Sequence, residues 1–88
     1  MSDLEFFCDR HRHLVCKPYS IENLHRMVEF LQIGKHWFHS WKNAHYDIPK
    51  RRIEEITSKC TVISSKELYL ITLENTNAEN DSEIKGIH

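Results

Sequence analysis

Short apolar runs alternate with helix signals along this chain, and that alternation limits the folds it can adopt. The runs at 4–8, 36–39 and 60–64 are rich in aromatic or β-branched residues, which is typical of strands. Each run is followed by residues that favour a helix. The order strand, helix, strand, helix, strand, helix predicts a small single α/β domain with a three-stranded, mainly parallel sheet and about three helices.

The first helix is predicted at 20–33. Ser20 is a favourable N-cap, and Gly34 is a natural stop at the C-terminal end. Apolar residues recur between them at spacings of three and four, so one face of this helix is expected to be buried. The residues of that stripe are Ile21, Leu24, Val28 and Leu31, widened by Met27 and Phe30.

The two later helices have starting signals of their own. Asp47 is a suitable cap for the second helix, because Pro49 then falls in a first turn that tolerates a missing N–H. Ser64 and Glu67 form a capping box for the third. The segment 13–16 is one more short apolar run, which we interpret as either a brief strand or an extended connection.

The overall composition fits one small cytoplasmic domain. The chain has 88 residues and a formal net charge of −1, so it lacks the general basic field of many nucleic-acid-binding proteins. No run approaches the roughly 18 apolar residues of a membrane span. Three cysteines without a signal peptide indicate reduced thiols in a cytoplasm. Residues 1–74 are expected to form the compact domain, and the polar residues 75–88 a disordered tail.

Several segments between 13 and 68 carry a family resemblance. They are His13-Leu14-Val15, the "ENLH" of 22–25, Trp37-Phe38, His45-Tyr46-Asp47 and Ser64-Ser65-Lys66-Glu67-Leu68. This region resembles a bacterial and phage family of small uncharacterised domains, domain of unknown function number four thousand and thirty-one. The first strand, ending at Asp9, also looks similar to that of the family, although the following loop is shortened to 10–12. The resemblance implies a small accessory or host-directed protein, in the host cytoplasm if phage-encoded.

Residues 8–16 contain four potential zinc ligands, Cys8, His11, His13 and Cys16. Structural zinc sites take four such ligands, but usually as two pairs separated by a longer loop. Ligands this close together would have to fold into a tight ring, so Cys8 and Cys16 are more simply interpreted as small buried apolar groups. His11 and His13 remain weak candidates for binding a divalent metal, the one cofactor that the sequence suggests.

A composite polar site is the stronger hypothesis. Ligands of parallel sheets gather beyond the carboxyl ends of the strands, where several histidines and carboxylates of this chain would lie. The candidate residues are Asp9, His13, His39, His45, Tyr46 and Asp47. Histidine with carboxylate can bind a divalent metal or act as an acid–base pair. Purely structural roles are the alternative, with Asp47 as a helix cap and Tyr46 in the core.

Aromatic and basic residues suggest contacts with a partner. Trp41, set among polar residues, is the main candidate for an exposed anchor, together with Arg51 and Arg52. The basic clusters at 10–13 and 50–52 are local, and the slight excess of acidic residues weighs against nucleic acid as the partner.

A binding function is favoured over catalysis. We expect a small cytosolic accessory protein, of the phage-encoded and host-directed kind, that binds a protein partner or a nucleotide-like ligand. The alternative is a metal- or histidine-dependent hydrolase or nuclease. Its site would be built from Asp9, His13, His45 and Asp47.

Overall fold

The computed structural model describes residues 4–40 and 43–73, which form a five-stranded mixed sheet and three helices. The strands are β1 (Glu5–Cys8), β2 (His13–Lys17), β3 (Phe38–His39), β4 (His45–Asp47) and β5 (Thr61–Val62), in the spatial order β3-β4-β2-β1-β5. The helices are α1 (Ile21–Leu31), α2 (Ile53–Ser58) and α3 (65–73). Two short 3-10 turns, Lys35–Trp37 and Lys50–Arg52, precede β3 and α2. None of the helices described is long and apolar enough to cross a membrane.

The sheet is mostly antiparallel, so the prediction of a three-stranded, mainly parallel sheet is wrong. β2 pairs with β1 and with β4 in antiparallel fashion, β3 pairs antiparallel with β4, and only β5 joins β1 in parallel. The physical reason lies in the connections. β1 and β2 are joined by the four residues 9–12, whereas a parallel connection needs about a dozen or more. The apolar run at 13–16 is therefore the second arm of a hairpin.

Two other segments differ from their predicted structures. Residues 45–47 form the strand β4, so Asp47 does not cap a helix; α2 begins only at Ile53, after a 3-10 turn. The strand predicted at 60–64 is reduced to Thr61–Val62, and both of these residues are exposed. The predicted tail, 75–88, lies outside the described residues.

The helix signals of α1 and α3 are confirmed. The hydroxyl Oγ of Ser20 accepts a hydrogen bond from the backbone N–H of Asn23 at 3.0 Å. Ser64 and Glu67 form the predicted capping box, in which each side chain accepts from the backbone N–H of the other at 3.0–3.1 Å. The end of α1 comes earlier than predicted, because Gln32 adopts the left-handed conformation with φ 60°.

One face of the sheet forms the main core. β2 packs against α1, and alternate residues of β1, β2 and β4 turn towards that side. Cys8, Leu14, Cys16 and Tyr46 are fully buried there, in one cluster with Leu24, Met27, Val28 and Leu31 of α1. The predicted stripe of α1 was wrong at two positions, since Ile21 and Phe30 are 53% and 71% exposed.

Helix α3 lies on the other face of the sheet. Its residues Leu70 and Ile71 line a cleft with Phe7 of β1 and Lys17 of β2. The hydroxyl of Ser65, at the start of α3, donates to the Asp9 carboxylate at 2.8 Å. The chain therefore has three layers, and the polar residues of β2, β3 and β4 share the α3 side of the sheet.

The corrected stripe of α1 can be tested by two truncations. Leu24→Ala removes a fully buried side chain and is expected to lower the free energy of unfolding by about 2–5 kcal/mol. Ile21→Ala removes a half-exposed side chain on the same helix, and we expect a change of about 0.5 kcal/mol or less. Urea denaturation followed by circular dichroism measures both. Equal losses in the two variants would contradict this assignment of the buried face.

Candidate metal centre

Three potential metal ligands meet on the α3 face of the sheet: His13, His45 and Asp47. The strand register brings them together, because His13 of β2 lies directly opposite Asp47 of β4, and His45 precedes Asp47 by two residues. Residues two apart in a strand point to the same side. One ligand atom from each residue lies within 4.8 Å of the other two. We call these residues the ligand trio.

The imidazole of His13 is oriented by the Asp9 carboxylate. His13 Nδ1 lies 2.9 Å from Asp9 Oδ2, and Asp9 is only 5% exposed. An ionised carboxylate can only accept, so Nδ1 carries the proton and donates it. In the neutral imidazole the other ring nitrogen, Nε2, then carries the lone pair. A histidine whose second nitrogen is held by a carboxylate is a common arrangement in metal sites.

Asp9 also organises the turn between β1 and β2. Its Oδ1 accepts hydrogen bonds from the backbone N–H groups of His11 at 2.8 Å and His13 at 3.0 Å. Burial alone would raise the pKa of this carboxyl group. The hydrogen bonds from His13, Ser65 and His11 outweigh burial and lower the pKa of Asp9 to about 2. Asp9 is therefore ionised near neutral pH.

His45 is held in the same tautomer as His13. Its Nδ1 lies 3.0 Å from the backbone carbonyl of Asn43, which can only accept, so Nδ1 again carries the proton. Its Nε2 lies 3.4 Å from Asp47 Oδ1. Two ligands held at about 2.1 Å by one tetrahedral ion stand about 3.4 Å apart. The spacing of this pair therefore fits a shared zinc-like ion.

Asp47 is held in turn by His39. His39 Nε2 lies 2.8 Å from Asp47 Oδ2, and the ring of His39 stacks on that of His45 with centroids 5.1 Å apart. This leaves Asp47 Oδ1 directed towards His45. The rings of His13 and His45 meet edge to face at 5.0 Å. Each member of the ligand trio is thus oriented by a neighbour outside it.

Five of the six residues of the composite site share this face of the sheet, and Tyr46 does not. Tyr46 is fully buried on the α1 side, where its hydroxyl lies 2.7 Å from His25 Nδ1. Burial and the charge of Glu29 raise the pKa of Tyr46. The two-residue period of a strand explains this, since Tyr46 lies between His45 and Asp47.

The four-ligand arrangement of residues 8–16 does not form. Cys8 and Cys16 are fully buried on the opposite face from His13, and burial raises the pKa of Cys16 to about 12. His11 is exposed, with its ring 6.5 Å from that of His13, and it is not part of the ligand trio.

The residues that were predicted to contact a partner differ in their exposure and in their bonds within the domain. Arg52 is engaged inside the domain, where its guanidinium donates to the carbonyls of Leu31 and Gln32 and pairs with Glu55. Arg51 is exposed. Trp41 lies outside the described residues.

Sequence reasoning missed Asn43, Ser65 and Tyr69. Asn43 holds His45 through its carbonyl, and its side-chain amide donates to Thr72 of α3 at 2.8 Å. A cleft of about 190 Å³ opens beside the ligand trio, and its walls include Ser65 and Tyr69 of α3. The capping box located the start of α3, but no local pattern indicates which strand residues a helix will cover.

The fold and this cluster define a small α/β domain with a histidine–carboxylate site on one face of its sheet. Comparison with protein-family models, with curated proteins and with solved structures found no match to this chain. Any function is therefore inferred from the site itself.

The buried Asp9 carboxylate predicts a loss of stability in acid. Its pKa is about 2 in the folded protein, against an ordinary value of 3.8, so it stabilises the fold by about 2 kcal/mol above pH 4. That contribution is lost as the pH falls from about 4 to about 2. Asp9→Asn should therefore be less stable at neutral pH, with a shallower decline below about pH 4. Urea titrations across this range measure it, and an unchanged slope in Asp9→Asn would contradict the assignment.

Proposed function

We propose that this protein is a metal-dependent hydrolase in which His13, His45 and Asp47 bind one divalent transition-metal ion. The observation that carries the proposal is the tautomer of the two imidazoles, which is set by the acceptor at each Nδ1. Each donates its Nδ1 proton to a fixed acceptor, so Nε2 is the nitrogen that a neutral ring offers to a metal, and one ligand atom of each residue of the trio lies within 4.8 Å of the other two. Two histidines and a carboxylate suit zinc, manganese or iron(II).

Within residues 4–40 and 43–73 the cluster offers three ligands, and this number favours catalysis over a structural role. Structural zinc sites are closed by four protein ligands, whereas catalytic sites use three and keep a position for water. The side chains of His45 and Asp47 are 22% and 23% exposed, and that of His13 is 41% exposed. Solvent and substrate can therefore reach the remaining position.

The protein residues around the ligand trio have separate tasks in this proposal. A bound divalent ion would lower the pKa of its water to about 7 and so supply hydroxide near neutral pH. Asp9 holds the His13 ring, while the Asn43 carbonyl fixes the tautomer of His45. His39 orients Asp47 by donating to its Oδ2.

A metal-free, histidine-dependent hydrolase is less well supported. Such an enzyme needs a nucleophile within hydrogen-bonding reach of its base. Asp9 and His13 resemble the carboxylate and base of that arrangement. The hydroxyl of Ser65, however, donates to Asp9 instead of to the His13 ring.

The expectation of a purely binding protein also has less support. Of the three expected partner contacts, Arg52 is used within the domain and Arg51 is the exposed one among the described residues. We propose that the hydrolase acts in the cytoplasm, as a small accessory enzyme. The free thiols of Cys8, Cys16 and Cys60 agree with a reducing compartment.

Metal binding is tested by titrating the metal-free protein with Zn²⁺, Mn²⁺ and Co²⁺ in a calorimeter. We expect one ion per chain. His13→Ala and His45→Ala should each weaken binding by at least about 100-fold, because outer partners alone contribute about 10–100-fold. Asp9→Asn is expected to fall in that smaller range. His36→Ala, which removes an exposed histidine of the Lys35–Trp37 turn, is the matched control and should bind as the wild type does.

Hydrolysis is tested with bis(p-nitrophenyl) phosphate and p-nitrophenyl acetate as general substrates. Activity towards at least one of them should disappear with a chelator and return when the metal is restored. It should also be lost in His13→Ala and retained in His36→Ala. Stoichiometric metal binding without metal-dependent turnover would show that the site is not hydrolytic, and a failure to bind metal would refute the proposal altogether.

A further inference from the structure

We infer that the substrate is a single-stranded nucleic acid, whose phosphates bind the exposed cations Arg10, Lys50 and Arg51 beside the ligand trio and whose bases stack on Tyr69. This inference rests on the proposed hydrolase and names its substrate class. It depends on two features outside the ligand trio: a group of exposed cations at one end of the sheet, and an aromatic side chain in the cleft beside the trio.

Two basic segments that are far apart in sequence meet beside the ligand trio. The backbone N–H of Ile48 donates to the carbonyl of Arg12 at 2.8 Å, and the Arg12 guanidinium donates to the carbonyl of Ile48 at 2.9 Å. Arg12 immediately precedes His13, and Ile48 immediately follows Asp47. The clusters at 10–12 and 50–52 therefore lie at the same end of the sheet, and Arg10 lines two further clefts that share Asp9 or Ser65 with the cleft of the ligand trio.

Three of these cations are available to a ligand. Arg10, Lys50 and Arg51 are exposed, and none of them has an ion-pair partner within residues 4–40 and 43–73. Arg12 and Arg52 differ, since their guanidinium groups bond to backbone carbonyls. Exposed cations near a hydrolytic site suit a polyanion, and phosphate contacts of this kind supply most of the sequence-independent affinity for nucleic acid.

The neighbouring cleft explains why the polyanion should carry bases. Tyr69 is 49% exposed and lines the 190 Å³ cleft together with His13, His45 and the buried Leu68. Exposed aromatic rings combined with cations are the usual platform for single strands, because every base can stack on such a ring. The bases of a duplex are already stacked on one another, so a single strand fits this cleft better.

The reaction that follows is hydrolysis of a phosphodiester. A water oxygen forms a bond to phosphorus, and the bond from phosphorus to the leaving oxygen breaks. The proton that the water gives up is taken by the leaving oxygen. The products are a phosphomonoester and a free hydroxyl group, and no oxidant or further reactant is needed.

Binding of the nucleic acid can be measured separately from its cleavage by adding a chelator, which removes the metal ion that cleavage requires. The probe is a fluorescein-labelled oligothymidylate of about 12 nucleotides, followed by fluorescence anisotropy. We expect the logarithm of the affinity to fall with the logarithm of salt concentration, with a slope of about −2 for three phosphate contacts. The variant Arg10→Ala/Lys50→Ala/Arg51→Ala should bind at least about 10-fold more weakly, with a slope near zero.

The matched control changes the charge by the same amount elsewhere. Arg26→Ala/Lys35→Ala/Lys59→Ala removes three exposed cations from α1, from the turn before β3 and from the end of α2, and it should bind as the wild type does. Tyr69→Ala should weaken binding by about 10-fold, and Tyr69→Phe should restore it, because stacking needs only the ring.

Several outcomes would overturn the inference. They are a wild type that does not bind the oligonucleotide, equal affinities of the two triple variants, preference for a duplex of the same length, and an unchanged affinity in Tyr69→Ala. The proposed hydrolase fails on different measurements, namely metal stoichiometry and turnover of the p-nitrophenyl substrates. Cation-dependent binding of the oligonucleotide by a protein that takes up no metal would keep the ligand and refute the enzyme.

Discussion

The Asp9 carboxylate is the interaction on which the other features of this domain depend. It is 5% exposed and accepts four hydrogen bonds: two from the backbone of the turn, one from the His13 ring and one from Ser65. These bonds set the hairpin between β1 and β2 and attach the start of α3 to the sheet. A buried charge is costly unless it is fully hydrogen-bonded. The geometry of His13 is therefore fixed by the folding of the hairpin.

Strand register then determines which residues join His13. β4 has only three residues, yet its pairing with β2 places Asp47 directly opposite His13 and turns Tyr46 to the other side. A shift of one residue would exchange these roles, burying Asp47 against α1 and exposing Tyr46. Because Tyr46 is fully buried and hydrogen-bonded to His25, the core on one face holds the register of the polar cluster on the other. Packing and site geometry are coupled through a single short strand.

The sequence was sufficient for the local signals and insufficient for the pairing. Ser20 and the Ser64–Glu67 box located two helix starts, because capping is decided by residues within one turn. The parallel sheet was predicted from alternation alone, and the four-residue connection between β1 and β2 excludes it. We expected Asp9, His13 and residues 45–47 to converge beyond the ends of parallel strands. They lie together for another reason, as cross-strand neighbours in an antiparallel sheet.

The Asp9 side chain is buried while the side chains of the ligand trio are partly exposed, and this difference fits the ion proposed to bind at the surface of the sheet. The Asp9 side chain is 1% exposed, those of His45 and Asp47 are 22% and 23% exposed, and those of His13 and His39 are 41% and 53% exposed. The Asp9 carboxylate, which orients His13, is thus buried, while the side chains that would bind the ion are partly exposed to solvent. Histidines that served only to fill the core would be buried, whereas His13, His39 and His45 are all partly exposed. The small size of the domain strengthens this point, since a chain of 88 residues has few interior positions. The burial of the Asp9 carboxylate at one of these positions is best explained by the groups that it holds in place, namely the turn between β1 and β2, the His13 ring and Ser65.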